Sequence, residues 1–138
     1  IDFVIRQLWH KISRMYNQKA NTYGYTMSIG FILLNIDKEG TPSTQLGPKM
    51  GMEPTSLSRT LKTMEDKGLI RRESDEADKR KVLIFLTQDG IDKRRIAKQV
   101  VLDVNERLLA SIPKGKLNTF YQVAEKLDAT LDIELNDI

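Results

Sequence analysis

The sequence predicts a mainly α fold with a small β-hairpin wing: a winged helix-turn-helix core flanked by long dimerisation helices. Three observations predict it. Six of the eight glycines and three of the four prolines fall between residues 24 and 68, while segments 1–23, 91–112 and 116–138 contain neither. The middle is therefore finely divided, and both ends can carry uninterrupted helices. Those ends repeat apolar side chains at helical spacing. Finally, the middle reads as short helix, tight Gly-containing turn, helix and hairpin, the order of a winged helix-turn-helix.

The elements follow in order. Val4, Ile5, Leu8, Trp9, Ile12, Met15 and Tyr16 recur at spacings of three and four and form one apolar stripe on a first helix. Thr26 can cap a second helix carrying Ile29, Ile32, Leu33 and Ile36, with Gly40 as its stop. Ser43 can cap a short third helix that ends near Gly51, although Gly47-Pro48 threatens to kink it or end it early. Pro54 suits the first turn of a fourth helix running to a Gly68 cap. Leu69–Glu73 and Val82–Thr87 read as a hairpin around the charged loop Ser74–Lys81. Thr87 can cap a long helix with Ile91, Val100, Val104 and Leu108 inward. Pro113 opens the last helix, striped by Leu117, Phe120, Val123, Ala124, Leu127 and Leu131.

Composition narrows the function. The 138 residues are 40% hydrophobic and 30% charged, as in a globular domain. With no cysteine and one histidine, His10, thiol chemistry is excluded and metal clusters or a Ser-His-Asp triad are disfavoured. No P-loop, dinucleotide turn or nucleophile–base pair stands out, so neither an enzyme nor a cofactor is expected. No apolar run approaches the roughly 20 residues that span a bilayer, so a membrane partner is not expected and the cytoplasm is the expected compartment. The chain begins at Ile1 rather than Met, which leads us to expect residues upstream.

The net charge of +3 decides little, but residues 43–95 hold 12 basic and 9 acidic side chains, and the tail 113–138 holds 3 and 5. A polyanion would meet the middle of the chain. On a helical wheel with Leu57 at zero, Leu61 and Met64 lie within about 40° and make a narrow buried stripe. Thr55, Ser56, Ser58, Arg59, Lys62 and Thr63 spread over the far side, with Asp66 as the only acid there. Short hydroxyls permit close approach to bases or phosphates, and Arg59 and Lys62 can reach guanine or a phosphate. The loop from Ser74 to Lys81 orders its acids first and its bases last. A tip ending Lys79-Arg80-Lys81 can place an arginine in a narrow minor groove, with Asp78 as its partner. Residues 43–84 contain no aromatic side chain on which single-stranded bases would stack, which argues against RNA.

The run Leu57 to Ile70, followed by Arg72, Asp75, Asp78-Lys79-Arg80-Lys81, Leu86-Thr87 and Gly90, resembles the core signature of the MarR family of winged-helix transcription regulators. The helix order outside the motif fits as well. The resemblance implies a homodimer on a pseudo-palindromic operator in double-stranded DNA, read by two recognition helices and two wings. It places Thr55, Ser56, Ser58, Arg59 and Lys62 on the recognition face, with Arg80 and its supporting Asp78 beside Lys79 in the wing. Ser43, Thr44 and Gln45 open the preceding helix, whose amides are suited to a phosphate, and Arg72 lies where the wing strand leaves the recognition helix. Residues 26–95 would form the DNA-binding core of one domain spanning 1–138, with 1–25 and 96–138 as the dimerisation region. The resemblance also implies a repressor released by a small aromatic or anionic effector, for which Trp9, Arg14, Tyr16, Tyr25 and Phe31 are the candidate pocket, close to Tyr23. The competing expectation is a winged-helix interaction module that binds no DNA.

Overall fold

The structure, a computed structural model, describes residues 1–138. The chain divides into two compact units, 1–100 and 101–138.

The first unit opens with α1 (Asp2–Asn21), whose last turn is closed by the Thr22 and Tyr23 amides donating back to Lys19 and Ala20 carbonyls. Thr26 caps α2 (Met27–Asn35) as its sequence position predicts, its hydroxyl accepting from the Ile29 amide. The helix stops well before Gly40. Ile36 is already extended and wholly buried, and residues 37–40 form a tight turn in which the Gly40 amide donates to Asp37. Gly40 is needed there for another reason. Its φ is +92°, and a Cβ would stand 2.6 Å from the Phe85 ring.

That turn leads into β1 (Thr41–Pro42), a strand the sequence reading did not expect. Two residues, one of them proline, carry no alternation to read. β1 exists because β3 (Val82–Leu86) offers it a free edge, and Pro42 is tolerated on an edge. The sheet is antiparallel in the order β1-β3-β2, with β2 (Ile70–Ser74) paired from Ile70↔Leu86 to Ser74↔Val82.

Ser43 is not a cap. α3 (Ser43–Met50) begins on it, and Pro42 holds the N-cap position with no side-chain hydrogen bond. Nor does Gly47-Pro48 break the helix, which continues to a left-handed Gly51 cap. Gly47 is buried, and a Cβ there would stand 3.3 Å from the Met52 carbonyl and 3.5 Å from a Leu57 methyl, so the glycine lets the two helices of the motif close on each other. α4 (Pro54–Asp66) has Pro54 in its first turn. Its end is a Schellman turn: the Leu69 amide donates to Met64, the Gly68 amide donates to Glu65, and Gly68 has φ +71°.

Buried Ile29, Ile32, Leu33 and Ile36 of the α2 segment meet Leu46, Leu57, Leu61, Met64, Leu69, Ile70 and Ile84 in one core. Thr87 ties the sheet to α5 (Gln88–Ala110): its hydroxyl donates to the Gly68 carbonyl and accepts from the Gly90 amide. A Cβ at Gly90 would lie 2.0 Å from the Leu69 carbonyl oxygen, so only glycine fits this turn. The inward face of α5 differs from the expected one. Ile91 and Leu108 are exposed, Val104 is buried and Val100 is partly covered. Arg94 turns in to donate to the Ile36 carbonyl, and Ala97 packs beside Gly30.

In the second unit α6 (Lys116–Asn136) starts later than Pro113. The Lys116 amide donates to the Pro113 carbonyl, closing a turn, and Gly115 is left-handed at φ +82°, a conformation that cannot lie inside a helix. Neither α1 nor α6 contains a buried residue. No helix is long and apolar enough to cross a membrane.

Candidate nucleic-acid interface

The amphipathic division of α4 is as its wheel requires. Leu57, Leu61 and Met64 are buried, and Thr55, Ser56, Ser58, Arg59 and Lys62 are all exposed. Thr60 and Thr63 turn their hydroxyls back to the Ser56 and Arg59 carbonyls, so they are engaged with the helix itself. Thr55, Ser56 and Ser58 are exposed on the same polar side of the helix.

The cations on and beside this helix differ in their partners. Lys62 Nζ is 3.1 Å from Asp66 Oδ1, one turn along. Arg72 Nε, on β2, is 3.3 Å from Glu65 Oε2. Arg59 has no ion pair. An open cleft of about 650 Å³ lies along α3 and α4, bordered by Ser43, Thr44, Ser58 and Arg72 and floored by Gly47 and Leu57. Ser43, Thr44 and Arg72, distant in sequence, thus share one concavity, whereas Gln45 is exposed on α3 outside it. Glu65 was missed by sequence reasoning. Its partner lies seven residues on, past the Schellman turn, and no helical spacing connects them.

The wing tip is ordered by its acids. Asp75 Oδ1 accepts from the Ala77 amide, and Asp78 Oδ1 accepts from the Arg80 amide. The Asp75 amide donates to the Lys81 carbonyl, closing the loop. The Arg80 side chain is 96% exposed, with Nε 3.7 Å from Asp78 Oδ1, and Lys79 is exposed beside it. Asp78 therefore contacts both the backbone and the guanidinium of Arg80. At the wing's base, the Arg71 guanidinium lies 4.5 Å from the centre of the Phe85 ring, with Glu73 as its ion-pair partner. Gly40 abuts the same ring.

The proposed effector residues do not form one cluster. Tyr16 and Phe31 meet edge to face at 5.5 Å. Tyr25 belongs to another group, packed on the core with Lys67 and Lys93 at 5.5 and 5.8 Å from its ring centre. Trp9 and Arg14 are exposed on α1, and Trp9 is two turns from Tyr16, about 10 Å along the axis. Tyr23 is also exposed.

Comparisons with known proteins bear on this arrangement. The MarR family model matches residues 26–82. The chain is 31% identical to the transcriptional regulator HosA of Escherichia coli over 91 residues, 66% of this chain and 67% of that protein. Among solved structures, it resembles the MepR–DNA complex of Staphylococcus aureus with a TM-score of 0.85 at 20% identity, over 94% of this chain and 96% of that one. A mutant MarR from Escherichia coli complexed with operator DNA matches with a TM-score of 0.80 at 22% identity, over 91% of each chain. At such identities the structural likeness establishes the fold.

Proposed function

Since the chain belongs to the MarR family of transcriptional regulators, we propose that it is a sequence-specific DNA-binding repressor, acting as a homodimer on a pseudo-palindromic operator and released by a small aromatic or anionic effector. One observation carries the DNA reading: α4 buries its apolar stripe and leaves a hydroxyl-rich face with an unpaired Arg59 in solvent. In this reading residues 26–95 meet the duplex, and 1–25 with 96–138 join two copies within a single functional domain. Ser43, Thr44 and Gln45 approach phosphate at the start of α3. Thr55, Ser56, Ser58, Arg59 and Lys62 enter the major groove, Arg72 touches the backbone, and Lys79 and Arg80, supported by Asp78, reach the minor groove. The open apolar faces of α1 and α6 support the dimer, whose half-sites would lie about 10 bp apart. For the effector, the support is the aromatic pair Tyr16–Phe31 and the two lysines around Tyr25.

The test is titration of the purified protein with duplex from the intergenic region beside its gene. Binding is expected to weaken steeply with salt, and Arg59→Ala to cost about 1–3 kcal/mol on the specific site. A salt-insensitive or absent interaction would instead identify a winged-helix module that does not bind DNA.

A further inference from the structure

We propose that Asp66 is an intramolecular competitor of DNA phosphate for Lys62 and thereby limits the affinity of the recognition helix for duplex of any sequence. The inference rests on the DNA-binding reading above. Asp66 lies about 180° round α4 from Leu57, in the middle of the face turned away from the core. That face carries Arg59 and Lys62 as its cations. Asp66 Oδ1 is at hydrogen-bonding distance, 3.1 Å, from Lys62 Nζ, with both side chains largely exposed.

Helix stability does not account for this acid. Asp66 is in the last turn, where the helix dipole presents its negative end. The order Lys then Asp at a spacing of four is also the weaker orientation of such a pair. The consequence of the pair falls on Lys62 instead. A lysine ammonium is a compact point charge that binds phosphate without directional demand. Lys62 already has a carboxylate partner, so a phosphate competes with Asp66 for the ammonium. The counterion release that drives sequence-independent binding is reduced accordingly. Arg59, with no such partner, keeps its full charge for the groove. The pair thus separates the two cations of one helix by availability, a distinction that their spacing in the sequence does not carry.

The test compares the full chain with Asp66→Asn on a scrambled-sequence duplex, by fluorescence anisotropy over a range of salt. Asp66→Asn is expected to tighten binding about twofold per protomer, the worth of an exposed pair at this spacing. The slope of log affinity against log salt should steepen by about 0.9 per protomer, one more phosphate neutralised. In a Lys62→Ala background the same substitution should change neither quantity. Thermal unfolding checks that the helix end is intact, and Asp66→Ser repeats the measurement with a second neutral side chain. Unchanged affinity and slope in both variants would overturn the proposal, as would a gain that persists without Lys62, which would mean direct repulsion. Failure of the parent chain to bind any duplex at low salt would overturn the DNA reading as well, and that outcome is distinct from a silent Asp66→Asn.

Discussion

α4 and α6 are both amphipathic helices, yet they satisfy their apolar stripes in different ways. α4 buries Leu57, Leu61 and Met64 among side chains from α2, α3 and the sheet. α6 buries nothing: Phe120, Val123, Leu131 and Leu135 are all at least half exposed in the single chain. A stripe that the chain covers itself contributes to folding, whatever the concentration. A stripe left open contributes only when something else covers it, and in the proposed dimer that is a second copy. If the proposed dimer forms, the same molecule has one part whose stability is intrinsic and another whose stability depends on mass action.

Leu61→Ala tests the first half of this contrast and carries the largest expected effect. Leu61 is 2% exposed, on the core side of α4, so truncation should cost about 2–5 kcal/mol in equilibrium unfolding, independent of protein concentration. Phe120→Ala tests the second half. Phe120 has few atoms to lose contact with in one chain, so its truncation should act on self-association, raising the dimer dissociation constant by an amount equivalent to about 2 kcal/mol in sedimentation equilibrium. A concentration-independent loss of stability from Phe120→Ala would remove the distinction between the two helices.

The contrast also explains what could be read from the residues alone. The stripe of α4, the Thr26 and Thr87 caps, the Gly51 and Gly68 stops and the hairpin itself are local: spacing and capping chemistry specify them within a short stretch of chain. What escaped was set by distant partners. β1 exists because β3 has a free edge, and Gly40 answers to Phe85, 45 positions on, rather than to the helix before it. Arg94 faces inward because the Ile36 carbonyl needs a donor. In the candidate interface, the polar face of α4 was legible from its wheel, whereas the ion pairing beside it across the turn was not. Glu65 pairs with Arg72 and Asp66 with Lys62, and the first of those pairs crosses a turn.

Arg80→Ala carries the smallest expected effect and is the sharpest check on the wing. Arg80 touches only Asp78, at 3.7 Å, and its side chain is otherwise in solvent. Removing it creates no cavity and unpairs no buried group, so unfolding should shift by no more than about 0.5 kcal/mol. Dimerisation should not change, because Arg80 sits in a loop between β2 and β3 rather than on the open stripes of α1 or α6. Affinity for the operator should fall by about 1 kcal/mol or more, with a shallower salt dependence, since an arginine in a narrow minor groove gains from the enhanced negative potential there. Because Asp78 also accepts from the Arg80 amide, the loop should keep its form without the guanidinium. Dissociation of the dimer by Arg80→Ala, measured by sedimentation beside Phe120→Ala, would show that the wing belongs to assembly and not to the DNA-facing surface.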